Sequence, residues 1–544
     1  MKSKTTRKAS SNLLAGLLLV VAVPSIASAA PSADNQMNQT REEMERQRIE
    51  RQIEEDQRRN QENIEDKRQG DTDTQTDTQA LRFTLTDVTT DESVVITAKV
   101  LKDIVEPYLN TEVTIDDINK IVGEINNYYN ELGFITCKAY IKPQKIEGGV
   151  VHISLNEALN GKIEVKGNRS TALKYIKRRL RLKGGELQNF KHLDEDINLF
   201  NGTNDANLRI SIKPGTEPNT TDYEIVVIEP PRATTTLTAD NFGQTTTGVW
   251  REGLYFNYAS LTGIRDSLTL GYNHSIGSNS FSASYEAPIS RWGDKIRVDY
   301  STNGTEHKSG QFKGLITGHS NYYSLTLTHP VTVNNAGRSE WSLAFNSQSS
   351  ASTFKDAGTF ADNRSDTADL AFTQINYKRG LVAYQKHTYE VGNAHNKIDE
   401  QHRPFGLYKF YGFIRKTQPH GQSLYTRASA QLSSRKDLAS ADTFSLGGYY
   451  SVRGYRTQLL DGDDGFDWSL EYSVPLLRRL SLFTFFDYGK ISSENSLMGT
   501  GLGLKFNPVD NIASTLLVGF PLKRYINEEE LSKTRVNFVV NGTF

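Results

Sequence analysis

The sequence predicts a transmembrane β-barrel of about 16 antiparallel strands, preceded by two small α+β units and an N-terminal helix. Three observations support this prediction. The chain starts with a secretory signal, helix and strand patterns are mixed from Leu81 to Pro230-Pro231, and apolar and polar residues then alternate with a period of two to the C-terminus. At 544 residues, the chain is also too long for one ordinary core.

The secretory signal covers residues 1–29. Its basic n-region contains Lys2, Lys4, Arg7 and Lys8. An apolar h-region at 13–23 and the small residues Ala27-Ser28-Ala29 predict cleavage after Ala29. No segment approaches about 20 consecutive apolar residues, so a membrane-embedded mature chain must form a closed barrel.

Composition and motifs argue against several functional classes. The 63 basic and 64 acidic residues nearly cancel, which does not suggest a nucleic-acid binder. Zinc-helix, nucleophile-elbow and phosphate-loop motifs are missing, and the ten histidines lack ligand spacing, so we predict no enzyme, cofactor or metal site. Asp461–Gly465 is predicted to be an exposed turn and not a calcium loop, because Gly465 occupies the fifth position and Phe466 the position that requires glycine. The single cysteine, Cys137, is predicted to pack in a strand.

Residues 30–68 are predicted to form an N-terminal helix region. From about residue 40 this region is dense in Glu, Arg and Gln, and the pairs Glu42–Arg46 and Glu54–Arg58 have i,i+4 spacing. Such a helix has little to bury, so a solvated spacer is one interpretation. The polar, low-complexity segment 69–80 is predicted to be a flexible linker.

Residues 81–156 and 157–231 are predicted to be two α+β units with the same β-α-α-β-β order. In the first unit, Ile118, Ile121 and Ile125 have helical spacing within 115–132, and Gly133 ends that helix. The second unit repeats the order more loosely, which indicates an internal duplication.

Residues 232–544 are predicted to form the barrel. Leu268, Leu270 and Tyr272 lie on one face of a strand, with small or polar residues between them. Similar runs recur along the segment at the length of tilted membrane strands, and the last one ends on Phe544. A soluble β-sandwich is the alternative.

The segment Val452-Arg453-Gly454-Tyr455 is followed about 30 residues later by Phe485-x-Asp487-x-Gly489. Taken alone, an Arg-Gly tetrapeptide can be a plain turn. Inside a barrel, Arg453 on an infolded loop could instead reach the Asp487 carboxylate on the wall, and this charge-assisted pair would fix the loop. Gly454 would permit a tight loop tip, and Gly489 would leave room against the wall.

These features together resemble one known family. The element order of both α+β units resembles the polypeptide-transport-associated (POTRA) domain, and Tyr129-x3-Gly133-Phe134 fits its pattern. The loop motif and the wall motif match those of the outer-membrane transporters of two-partner secretion. All segments occur in that family's order, so the resemblance covers essentially the whole mature chain.

The resemblance implies an outer-membrane transporter with its POTRA domains in the periplasm, embedded in outer-membrane lipid. It would capture a large secreted exoprotein of haemolysin, adhesin or contact-dependent toxin type and export it through the barrel without ATP. The helix at 36–68 would plug the pore, and Phe544 would be read by the barrel-assembly machinery. The residues of the implied loop–barrel lock are Val452, Arg453, Gly454, Tyr455, Phe485, Asp487 and Gly489.

Three alternatives stay open. A barrel-assembly or insertase protein of the same superfamily would share the lock, although it usually carries more POTRA domains and no plug. A passive porin would need no capture domains. An outer-membrane enzyme would need a catalytic constellation.

Overall fold

The computed structural model describes residues 37–38, 40–46, 48–50, 53, 64–66, 82–492, 495–526, 529–530 and 534–544. The predicted signal peptide and the predicted linker at 69–80 lie outside this part. One compact unit combines the N-terminal helix with residues from 231 onward, and the other comprises the described residues between 58 and 230. No helix in the described ranges is both long and apolar enough to cross a membrane.

The unit between residues 58 and 230 is built from short strands and helices. In chain order these are β1 (Ile64–Asp66), β2 (Phe83–Thr84), β3 (Asp87–Thr90), α1 (Ala98–Val105), a 3₁₀ turn (Glu106–Tyr108), β4 (Glu112–Val113), α2 (Ile115–Leu132), β5 (Cys137–Tyr140), β6 (Val150–Glu157), β7 (Leu159–Lys166), α3 (Leu173–Lys177), α4 (Phe190–Thr203), β8 (Asn207–Pro214) and β9 (Thr220–Ile228). They form the sheets β3-β6-β5 and β1-β8-β9-β7 and the ribbon β2-β4. Cys137 is buried in β5.

Helix α2 shows why the local sequence folds as it does. Thr114 caps its N-terminus in a reciprocal capping box with Asp117, and Gly133 ends it in the left-handed conformation at φ 90°. The isoleucines at helical spacing are buried in the core of the first sheet. Capping and periodicity therefore agree on the bounds of this helix.

The helix predicted for residues 30–68 does not extend to its predicted end. Residues Ile64–Asp66 form the strand β1 and pair in parallel with Ile210–Ile212 of β8. A polar helix that buries little gains little from tertiary packing, whereas β1 gains backbone hydrogen bonds at the edge of a sheet.

The barrel closes with 16 strands in the order β10-β11-β12-β13-β14-β15-β16-β17-β18-β19-β20-β23-β24-β25-β26-β29. Its strands are β10 (Ala233–Asp240), β11 (Arg251–Ala259), β12 (Ser267–Ser275), β13 (Ser278–Pro288), β14 (Lys295–Glu306), β15 (Ile316–Asn334), β16 (Gly337–Phe354), β17 (Gly358–Lys378), β18 (Leu381–Asn396), β19 (Gln401–Thr417), β20 (Ser423–Ser433), β23 (Gly465–Leu477), β24 (Leu480–Ile491), β25 (Ser496–Val509), β26 (Ile512–Pro521) and β29 (Arg535–Thr543). Two further ribbons lie in connections: β21 (Phe444–Leu446) with β22 (Leu460–Gly462), and β27 (Tyr525–Ile526) with β28 (Glu529–Glu530). The predicted fold class is confirmed.

The alternation of side chains follows the barrel wall. On β15, Tyr323 and Leu325 are exposed on the outer surface, whereas Ser324 is buried toward the lumen. Strand β10 starts at Ala233, at one end of the barrel. The connection that follows β10 therefore lies at the opposite end, and so does every second connection after it. The long connection 434–464 between β20 and β23 is one of these, and it is called the lock loop below.

Candidate functional site in the barrel lumen

The lock loop is buried around its motif. Val452, Arg453 and Tyr455 are almost fully buried, with 0%, 6% and 2% of their surface exposed. The β21–β22 ribbon lies in the same loop and contacts β23 and β24. The tetrapeptide is therefore packed against the inner wall and is not a plain exposed turn.

Arg453 forms a two-pronged contact with Asp487 on β24. Its Nε donates to Oδ2 of Asp487 at 2.8 Å, and its Nη2 donates to Oδ1 at 2.9 Å. The backbone N–H of Arg453 also donates to Oδ2 at 2.9 Å. Asp487 is completely buried, and charge-assisted bidentate pairs of this kind are strong and geometrically specific. The structure thus brings the two predicted charges together.

A second carboxylate completes the surroundings of the arginine. Nη1 of Arg453 donates to Oε2 of Glu471 at 2.8 Å, and Lys505 reaches the other oxygen of Glu471 at 2.5 Å. Ser469 accepts from Nη2 of Arg453 at 3.0 Å and donates to Asp487 at 2.6 Å. Two cations thus face two carboxylates, which limits the cost of burying the charges.

The sequence analysis missed Glu471, Ser469 and Lys505. A signal for Ser469 and Glu471 was present, because they alternate along β23 with Leu470 and Tyr472, which face outward, and must therefore face the lumen. Phe485 supplies the aromatic contact, with the Arg453 guanidinium 3.7 Å from the centre of its ring.

Glycines allow the loop tip to approach the wall. Gly454 has a φ of 97°, which favours glycine. A Cβ added to Gly499 on β25 would lie 2.0 Å from the carbonyl oxygen of Arg453, and one added to Gly519 on β26 would lie 2.7 Å from the backbone nitrogen of Gly454. A Cβ on Gly489 would lie 2.8 Å from a methyl carbon of Leu446. The sequence analysis singled out Gly454 and Gly489 but not the other two.

Val452 and Tyr455 anchor the loop by apolar packing and by a hydrogen bond. Val452 packs with Leu446, Ile491 and Leu497 in one apolar cluster. The Tyr455 hydroxyl lies 2.8 Å from the carbonyl oxygens of both Met498 and Lys523, so it can donate to one of them. The lock loop is thereby tied to strand β25 and to the connection that follows β26.

The described residues of the N-terminal helix, between 37 and 53, contact strands on opposite sides of the barrel. Glu43 accepts from Arg251 of β11 at 3.0 Å, and Arg48 reaches Glu286 of β13 at 3.3 Å. On the far side, Lys386 of β18 lies 3.4 Å from Glu45. The helix is therefore held to opposite strands mainly by charges.

One end of this helix also has apolar contacts. Ile49 and Ile53 are buried against four wall residues: Ile375, Val382, Tyr384 and Phe413. The helix also contacts the lock loop itself, because Nη1 of Arg46 donates to the carbonyl oxygen of Tyr450 at 2.8 Å. The Tyr449 ring of the lock loop stacks on Phe242, which lies in the connection 241–250 between β10 and β11, with the ring centres 4.1 Å apart. The helix, the lock loop and this connection therefore meet at one place.

The C-terminal Phe544 lies on the outer surface of the barrel. Its backbone N–H and C=O pair with Thr235 of β10, each at 2.8 Å, next to the seam where β29 meets β10. Its side chain is 62% exposed. This position leaves the phenyl ring accessible, and its proposed role in assembly is considered below.

The acidic segment 461–465, predicted to be an exposed turn, spans the end of the lock loop and the first residue of β23, Gly465. Leu460–Gly462 is a strand, and the carboxylates of Asp463 and Asp464 accept from the backbone N–H groups of Leu438 and Ser433 at 2.9 and 2.6 Å. Among the residues that the structure describes, no group of three or more His, Cys, Asp or Glu is arranged to hold a metal ion. The acidic side chains here stabilise the loop backbone.

Comparison with known proteins gives consistent results. The model of the haemolysin secretion/activation family ShlB/FhaC/HecB matches residues 220–506, and that of the ShlB-type POTRA domain matches residues 83–158. The outer membrane transporter CdiB of Dickeya dadantii is 22% identical over 78% of this chain and 80% of its own length. The heme/hemopexin transporter protein HuxB of Haemophilus influenzae is 23% identical over 83% of this chain and 86% of its own.

Solved structures show the same fold. CdiB from Escherichia coli superposes with a TM-score of 0.70 at 18% identity, covering 95% of this chain and 99% of that chain. CdiB from Acinetobacter baumannii gives 0.64 at 17% identity over the same shares. The family match spans more than half of the chain, so the chain belongs to the haemolysin secretion/activation family ShlB/FhaC/HecB and is an outer-membrane transporter of two-partner secretion with its POTRA region in the periplasm.

Proposed function

We propose that this transporter captures one large, unfolded exoprotein in the periplasm and exports it through the barrel after the N-terminal helix has left the lumen. The observation behind this proposal is the helix itself. Its contacts with the wall are mostly ion pairs such as Glu43–Arg251 and Arg48–Glu286, which water can replace when the helix leaves. The lumen is thus filled by a removable element.

The exported partner is proposed to be an exoprotein of haemolysin, adhesin or contact-dependent toxin type. The relatives carry the names CdiB and heme/hemopexin transporter, which support a dedicated partner for each transporter. Folding of the exported chain at the cell surface would give export its direction. During biogenesis, the exposed Phe544 would be read by the barrel-assembly machinery.

The lock is proposed to hold the resting state. Arg453 on the loop and Asp487 and Glu471 on the wall fix the lock loop against β23 and β24. Releasing the loop would leave buried charges without partners, so the lock resists movement until another interaction compensates. Val452, Tyr455 and the nearby glycines would set the depth at which the loop docks.

Capture is proposed to use an edge of the first POTRA sheet. Strands β3 and β5 are the edges of the sheet β3-β6-β5, and an extended peptide can add to such an edge. At Ala139 of β5, however, the side chain of Asn126 occupies the backbone N–H and C=O at 2.7 and 3.1 Å. Adding a strand at that point would require Asn126 to move aside.

The test is secretion of a large exoprotein encoded beside this chain, measured in the medium and on the cell surface with and without the transporter. We expect both fractions to be lost, with the exoprotein retained or degraded in the periplasm. Normal export together with a general fall in other outer-membrane barrels would contradict the proposal and favour the insertase alternative. Diffusion of small solutes without any effect on the exoprotein would favour a porin.

A further inference from the structure

The short helix α3 presents one exposed face of three basic side chains and one leucine. Positions four apart lie on the same side of a helix, and this side carries Leu173, Lys174, Lys177 and Arg178, all of them exposed. The opposite side carries Tyr175 and Ile176, which are buried and fix the orientation of the helix. Leu173 is 43% exposed, so the face combines positive charge with an accessible apolar side chain.

The three basic residues of this face lack an acidic partner among the described residues. In the part of the chain that the structure describes, Lys174, Lys177 and Arg178 form no ion pair. Basic residues just beyond them do have acidic partners, as Arg181 with Glu195 and Lys183 with Glu186 show. The face therefore carries a net positive charge that is open to an external anion.

The chain ties this face to the first strand of the barrel. The Glu229 carboxylate accepts from the backbone N–H groups of Ser170 and Thr171, immediately before α3, at 2.9 and 2.8 Å. Glu229 is four residues before Ala233, where β10 starts. Four extended residues span at most about 14 Å. At most this length of extended chain therefore separates the residue that contacts Ser170 and Thr171 from the start of β10.

We propose that the exposed face of α3 binds anionic phospholipid headgroups of the periplasmic leaflet of the outer membrane. Lys174, Lys177 and Arg178 would contact phosphate groups, and Leu173 would insert at the level of the headgroups. Basic side chains at an anionic surface, together with one apolar residue, are typical of such peripheral contacts. The contact would restrict the motion of the POTRA region at the membrane, and it does not depend on the export proposal.

The experiment uses the full chain in nanodiscs, with an environment-sensitive fluorophore on Ala172→Cys and with Cys137→Ala to leave a single thiol. Nanodiscs of phosphatidylcholine alone are compared with nanodiscs that also contain phosphatidylglycerol. We expect a blue shift of the emission only with phosphatidylglycerol, and its reversal by concentrated salt, because screening weakens surface electrostatics.

Two charge variants make the test specific. The triple substitution Lys174→Gln, Lys177→Gln, Arg178→Gln should lower the ratio of docked to free POTRA region roughly a hundredfold, since each basic residue contributes about fivefold. A control variant removes the same charge from exposed sites outside α3, and it should keep the blue shift of the emission: Lys99→Gln, Lys102→Gln, Lys145→Gln. Heat-modifiable migration of the barrel checks that both variants are folded.

Two results would overturn the proposal. One is equal emission in both kinds of nanodisc. The other is a shift that appears only when polyglutamate is added to neutral nanodiscs, which would assign the face to an acidic polypeptide.

Discussion

At the scale of single residues, Arg453 organises the lock because its guanidinium reaches three groups at once. Nε and Nη2 hold Asp487, Nη1 holds Glu471, and Nη2 also donates to Ser469. This fork has a fixed geometry that a lysine ammonium cannot reproduce. The position therefore requires an arginine, and not only a positive charge.

Replacing Arg453 should release the lock loop while the barrel stays inserted. Arg453→Ala leaves Asp487 and Glu471 with one cation fewer, which should destabilise loop docking by about 3–5 kcal/mol. Exoprotein secretion, normalised to the amount of inserted barrel, measures the effect, and Arg453→Lys should also secrete poorly. Arg456→Ala is the matched control on an exposed residue of the same loop. Normal secretion by Arg453→Ala would contradict a role for the lock.

Gly499→Ala should displace the loop tip. The added methyl would lie 2.0 Å from the carbonyl oxygen of Arg453, a backbone atom that cannot move without the loop. We expect faster protease cleavage within 434–464 in intact cells. Gly304→Ala, where an added Cβ has no neighbour within 4 Å, should leave cleavage unchanged. Equal cleavage in the two variants would show that the tip does not dock at Gly499.

At the scale of elements, the N-terminal helix combines two kinds of contact. Charged residues such as Glu43 and Arg48 face opposite walls, whereas Ile49 and Ile53 pack on aromatic and aliphatic wall residues. Ion pairs of this kind gain little net free energy because desolvation offsets their attraction, whereas apolar burial stabilises directly. The Ile49–Ile53 end is thus the end expected to hold the helix most firmly.

Deleting residues 36–57 should raise the single-channel conductance of the purified transporter in planar bilayers. The deletion empties the lumen of the helix but retains β1, which belongs to the POTRA region. The double substitution Ile49→Asp, Ile53→Asp should also produce the high-conductance state, but for a smaller fraction of the recording, because only the apolar contact is lost. An unchanged conductance after the deletion would mean that the helix does not limit ion flow.

The POTRA region contains a carboxylate that links its stability to pH. Hydrogen bonds from Lys213 and then Lys166 lower the pKa of Glu224 from 4.5 to about 2. A lowered folded-state pKa contributes stability above the ordinary value, and this stability is lost as the pH falls from 4.5 toward 2. Glu224→Gln should therefore lower the urea midpoint of this region at neutral pH and flatten its dependence on acid, as followed by circular dichroism. If the urea midpoint of Glu224→Gln fell with decreasing pH as steeply as that of the unaltered protein, ionisation of Glu224 would not be linked to stability.

At the scale of the whole molecule, the features that follow from local patterns were predictable. Alternation over 232–544 predicts the barrel, because side chains alternate between its two faces. The loop and wall motifs point to Arg453 and Asp487. Alternation along β23 also turns Glu471 toward the lumen, but its contact with Arg453 and the position of Lys505 depend on strand register, which single-sequence patterns do not fix. Likewise, the pairing of β1 with β8 and the lumenal position of the helix rest on contacts far apart in sequence.

The central claim is that the exported chain passes through the lumen after the helix has left it. Met44 of the helix and Ser282 of β13 are in contact, with the sulfur 3.7 Å from the hydroxyl oxygen. Met44→Cys with Ser282→Cys, joined by a short reducible cross-linker, would hold the helix in place. The measurement is exoprotein secretion before and after the cross-link is cut, with both single-cysteine variants as controls. We predict that secretion stops while the link is closed and resumes after reduction, whereas undiminished secretion with the link closed would contradict the claim.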